Sequence, residues 1–153
     1  MKKFQYSMEN ILKIKLKLED QAKITYATAR HRLNIEEKKM EQLEQRKTAF
    51  EDELRKLRAA RLDLLKIRHC EEAIDIIKMN IKQQVIAVKN AKLKLEAARG
   101  SLIDAMVERK TQDKLKEKAF AAYRLEYEHE EQKEINELNS FHYSIPTLDE
   151  EEQ

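Results

Sequence analysis

The chain has 153 residues, of which 39% are Asp, Glu, Lys or Arg, with one Gly, one Pro, one Cys and no Trp. A compact globular fold is excluded in practice, because tight turns draw on Gly, Pro, Asn and Asp, and charge this dense leaves room only for a narrow apolar stripe. The net charge of +2 argues against a nucleic-acid binder, for which a strongly basic balance would be expected.

From the N-terminus, MKKFQYSMENILKIKLKLE has a basic start, but lysines interrupt any apolar run. It is therefore not read as a secretion signal, and no stretch approaches the ~18 apolar residues of a membrane span. An intracellular, reducing location is expected, since Cys70 has no partner for an intrachain disulfide. From Ala22 a 4-3 spacing passes through Tyr26, Ala29, Leu33, Glu36, Met40 and Leu43 and continues to Leu64, mostly on apolar residues. Before Ala22 the apolar residues Met8, Ile11 and Leu18 enforce a different phase and two consecutive steps of four, which would be a stutter. A second run starts at Ile74 and goes through Ile77, Ile81, Gln84, Val88 and Ala91 to Ala105. Two sustained runs of this kind are the signal of a coiled coil.

Between them, LKIRHCEEA carries no apolar 4-3 path, and Glu71-Glu72 suit the first turn of a new helix. The predicted fold is all-α: two long helices in an antiparallel coiled-coil hairpin, turning near residues 65–72, with arms of about 4–64 and 72–139. No Gly or Pro marks the turn, so one continuous helix also fits the composition. The hairpin is favoured by charge: residues 1–35 hold eight Lys or Arg against three Asp or Glu, whereas residues 126–153 hold ten acids against Lys133. Gly100, mid-helix, reads as a tolerated surface glycine or as a flexible point or close contact. Met8, Met40, Met79 and Met106 read as core filler. MVERKTQDKLKEKAF, residues 106–120, interrupts the second stripe with seven polar residues, Glu108 to Lys114. A fold about residue 69 would set Arg109, Gln112 and Lys116 opposite Ala29, Tyr26 and Ala22. Residues 141–153, with the Pro and four acids, read as an acidic flexible tail.

Residues for covalent chemistry are not assembled. A single Gly excludes a glycine-rich phosphate loop. His31, His69, His129 and His142 are dispersed, and adjacent His69 and Cys70 point about 100° apart on a helix. No catalytic, cofactor or metal site is expected.

Three blocks carry a resemblance: Phe4, Tyr6, Met8, Glu9, Ile11 and Leu12; Glu108, Arg109, Lys110, Lys114 and Leu115; and Lys133, Glu134, Ile135 and Glu137. Together they resemble the FliJ family of flagellar export proteins from residue 1 to about 140, with Asp113 where Glu is usual. The resemblance implies a non-enzymatic, cytoplasmic component of the flagellar type III export apparatus, associated peripherally with the inner membrane and serving flagellum assembly, motility and chemotaxis. It implies a stalk whose terminal end enters the hexameric export ATPase ring, with Lys15, Arg109, Lys110, Lys116 and Arg124 as contacts. The other end would touch the cytoplasmic domain of the export gate through Ala73, Ile77 and Ile81, where Ala73 replaces the family's aromatic. Escort of export chaperones and a monomeric free state are implied as well, without nucleic acid and without membrane insertion. The alternatives are an export chaperone that holds substrates without the ATPase, and a parallel homodimeric coiled-coil scaffold.

Overall fold

The computed structural model describes residues 2–144; of the tail expected over 141–153, residues 141–144 are helical and the rest lies outside the described residues. Two helices form a hairpin: α1, Glu9–Ala59, and α2, Leu64–Ser144. Both are rich in Ala, Leu, Lys, Glu and Arg, the residues that lose least on entering a helix. No described helix is long and apolar enough to cross a membrane.

The reversal occupies residues 60–63, earlier than the 65–72 read from the sequence. Its chemistry is an N-cap. The Asp63 carboxylate accepts a hydrogen bond from the Lys66 amide at 3.3 Å, and the Ile67 amide donates to the Asp63 carbonyl at 3.1 Å. Lys56 and Arg58 sit in the last turn of α1, where they complement the exposed carbonyl ends. Glu71 does not begin a helix; it meets Arg58 of α1 at 2.9 Å. Cys70, read as a turn residue, is buried in the seam and its thiol donates to the Phe50 carbonyl at 3.2 Å. A buried thiol acts as a small hydrophobe, and with Cys70 included the second stripe starts at Ile67.

The chain divides into two units: residues 18–106, and residues 1–17 with 107–153. In the first, the covered residues of α1 step 3-4 from Glu19 through Ala22, Tyr26, Ala29, Leu33, Glu36 and onward to Leu57. Those of α2 do the same from Ile67 and Cys70 to Ala105. The core is thin: Leu33, Cys70, Ile74, Ile77, Ala91 and Ala98 are the buried apolar residues of this unit. One layer is polar. Glu36 is only 5% exposed, and the Gln84 amide donates to its carbonyl at 2.8 Å and to its carboxylate at 2.6 Å.

Two expectations for these helices change, and Gly100 keeps its reading as a surface glycine. The stutter before Ala22 is absent, because the covered residues there are Glu19, Lys15 and Leu12, in unbroken 3-4 phase, while Ile11 and Leu18 face outward. Met79 is not core filler but 64% exposed. Gly100 touches nothing within 4 Å of where a Cβ would stand and has no positive φ, so it is neither a close contact in the described residues nor a required conformation.

Candidate functional site: the polar seam at the paired termini

In the second unit, the heptad phase of α2 continues through the apolar gap. The covered positions are Arg109, Gln112, Lys116, Ala119 and Tyr123. Thus α2 does not stop presenting a seam at Glu108; it fills that seam with polar side chains. Each has a specific partner. The Tyr6 hydroxyl donates to Gln112 Oε1 at 3.1 Å. Lys116 meets Glu9 at 3.0 Å, Lys15 meets Glu108 at 2.9 Å, and Arg109 meets Asp113 at 2.7 Å. Residues 108–116 therefore face residues 6–15, and not Ala22, Tyr26 and Ala29. The fold point explains the difference, since moving it toward the N-terminus displaces every opposed pair by twice as much.

Beyond the polar segment, residues 2–6 run along α2 before α1 begins. Phe4 packs edge-on against Phe120 with ring centroids 5.2 Å apart, and against Tyr123 at 5.3 Å. The Tyr123 hydroxyl donates to the Lys2 carbonyl at 2.8 Å, which fastens the segment at its far end. Leu12 is 4% exposed and is the one buried apolar side chain described in this unit. The ion pairs are half-exposed, and such pairs contribute roughly 0.2–1 kcal/mol each. The segment is thereby held in register by directional bonds, with little apolar burial.

Four of the five cations expected to contact a ring, Lys15, Arg109, Lys116 and Arg124, have intrachain carboxylate partners, Arg124 at 3.7 Å from Glu128. Lys110 differs. With Lys114 and Lys118 it forms an exposed row at spacing of four, and none of the three has an acidic partner among the described residues. The sequence-based contact set holds neither Lys114, which enters only in the resemblance, nor Lys118, although KTQDKLKEK shows their spacing with Lys110 openly. At the other end of α2, Ile77 is 3% exposed in the seam, and Ala73 and Ile81 are half-buried beside it. Ile77 can therefore support a contact there only from beneath.

The family model described as "Flagellar FliJ protein" matches residues 4–146, nearly the whole chain and both the polar seam and its aromatic clasp. The chain belongs to the FliJ family. It is thus a component of flagellar type III protein export. Among solved structures it is similar to CT670 from Chlamydia trachomatis, described as a YscO homolog, with 21% identity, 92% of this chain and 96% of that chain covered, and a TM-score of 0.44. No curated protein matches it. In this FliJ chain, the block Glu108, Arg109, Lys110, Lys114 and Leu115 divides by role: Glu108 and Arg109 make the ion pairs described above, while Lys110 and Lys114 face solvent.

Proposed function

We propose that this chain is the stalk and adaptor of the export apparatus, entering the hexameric export ATPase ring with its paired termini and performing no catalysis itself. The observation that carries this reading is the exposed row of Lys110, Lys114 and Lys118 beside a seam fixed by ion pairs. A ring lumen that accepts a stalk needs a polar surface with directional charge, because a broad apolar patch would bind statically. Three ammonium groups without acidic partners among the described residues can meet carboxylates of a ring, whereas Lys15 and Lys116 would first have to leave theirs. The opposite end, around Ala73 and Ile81, contacts the cytoplasmic domain of the export gate, and the hairpin escorts export chaperones at the inner face of the membrane.

The test is activation and assembly of the cognate export ATPase by the purified chain. Charge reversal at Lys110, Lys114 and Lys118 together should weaken ATPase binding by about tenfold or more, roughly 1.4 kcal/mol, with helicity unchanged. Reversal at exposed Lys38, remote in sequence from that row, should leave binding intact. Equal binding by the triple variant would overturn this assignment, and a wild-type chain without effect on the ATPase would overturn the stalk reading.

A further inference from the structure

The α2 helix carries a second stripe that the hairpin does not use. Beginning at Ile76, steps of 3-4 reach Met79, Gln83, Ile86, Asn90, Leu93, Ala97 and Gly100. These residues occupy the two heptad positions on the far side of the helix from Ile74, Ile77, Ile81 and Gln84. All are exposed; Ile76, Met79, Ile86 and Leu93 are 61, 64, 60 and 61% exposed. Scattered apolar residues on a surface need no explanation. A row that keeps heptad phase over about 36 Å, at 1.5 Å per residue, has the pattern of a seam awaiting another helix. Its interruptions, Gln83 and Asn90, are polar residues of the kind that specify register in coiled coils. Ala97 and Gly100 end it with small residues, and open space at Gly100 leaves a flat spot on which a second backbone can lie close.

Charge selects the occupant. Lys82 and Lys89 flank the stripe on one side and Lys94 on the other, with Lys78, Lys92 and Arg99 one row further. All six are exposed, and the one acid between residues 76 and 100, Glu96, pairs with Arg99 at 3.9 Å. A second copy of this face would set lysine rows against lysine rows, which opposes pairing. We infer that the outer face of α2 between Ile76 and Gly100 is a docking surface for an acidic amphipathic helix of a partner protein, which completes a three-helix layer. This inference uses the first half of α2, on the face turned away from the seam residues Ile77 and Ile81, and stands apart from the ring-contact reading, which rests on Lys110, Lys114 and Lys118.

The test uses two synthetic four-heptad peptides with leucine seams, one flanked by Glu and the other by Lys, titrated against the full chain by fluorescence anisotropy at physiological salt. Repulsion between like flanks keeps each peptide from pairing with itself. The Glu peptide should bind about tenfold or more tightly than the Lys peptide, and Ile86→Ser with Leu93→Ser should lower its affinity by about tenfold or more. Since both side chains are exposed in the hairpin, the double variant should keep its helicity and unfolding midpoint, and those two readings separate lost docking from lost folding. Equal affinity for both peptides, or no binding of the Glu peptide at about 100 µM, would overturn the inference. So would a chain dimer in sedimentation that Ile86→Ser with Leu93→Ser returns to monomer, because the occupant would then be a second copy.

Discussion

Replacing Gln84 by Ala tests whether the polar layer inside the hairpin is a working contact. Gln84 supplies two short hydrogen bonds to Glu36, at 2.8 Å to its carbonyl and 2.6 Å to its carboxylate. Arg32 and Lys39 also approach the carboxylate, at 3.1 and 3.8 Å, but their side chains are 63 and 54% exposed, so solvent and salt screen them. The principal loss is therefore the bond to a charged, 5%-exposed acceptor, and such bonds are worth about 1.5–3 kcal/mol. At 2–4 °C per kcal/mol for a chain of this size, the midpoint should fall by roughly 3–12 °C. Replacing both Glu36 and Gln84 by Leu should restore or exceed wild-type stability, since a well-packed apolar pair avoids desolvating a carboxylate. Urea unfolding of the wild type, Glu36→Leu, Gln84→Leu and the double Leu variant completes the cycle. A Gln84→Ala cost below about 0.5 kcal/mol, the range of a featureless surface substitution, would refute the argument, as would a double Leu variant less stable than Gln84→Ala.

Two further outcomes are expected. Burial, with Glu53 and Glu71 nearby, raises the Cys70 thiol above its ordinary value of 9.0, against the opposing effects of Arg58 and a hydrogen bond with the Leu54 backbone. The folded thiol then holds its proton to higher pH than the unfolded one. Its contribution is whole at neutral pH and is lost as pH rises from the unfolded thiol's range through the folded one's. Iodoacetamide should therefore label native Cys70 far more slowly than the urea-unfolded chain at pH 8–9, and similar rates would contradict the burial. Asp63→Ala removes the cap at the start of α2 and should cost about 0.5–2 kcal/mol in urea unfolding, with Asp63→Asn close to wild type.

Helical class, hairpin and family were all legible, because a 3-4 pattern sustained over tens of residues has one cheap solution. The phase was harder at both ends. Near Leu12 the sequence offers Ile11 and Leu18, but α1 buries Leu12 and Glu19 and keeps the phase set by Ala22 through Leu57. Register along a long helix outweighs the hydrophobicity of any one residue. At the turn, Cys70 between His69 and Glu71 gives a weak seam signal, and Asp63 before Leu64 and Leu65 marks a cap without a Gly or Pro beside it. That single displacement carries into every opposed pair, so a fold about residue 69 sets the polar segment against Ala22, Tyr26 and Ala29 and not against Tyr6, Glu9 and Lys15. The α2 helix also runs to Ser144, past the limit of about 140 at which its apolar pattern fades. An end without a seam gives no periodic signal to read.

That end of α2 has a further consequence. Tyr123 is the last covered residue, and from Arg124 to Ser144 every side chain is exposed. Helix beyond the clasp is joined to an existing nucleus, so each added turn is reversible and nearly independent of the next. On warming, these turns should melt gradually from the Ser144 end, well below the temperature at which the seam parts. Ellipticity would then begin to slope before the hairpin has opened at all, and a two-state fit to it would understate the cooperativity of the seam. A reporter placed across the hairpin, such as a pair of fluorophores on the two sides of the Phe4–Tyr123 contact, would follow the cooperative event alone.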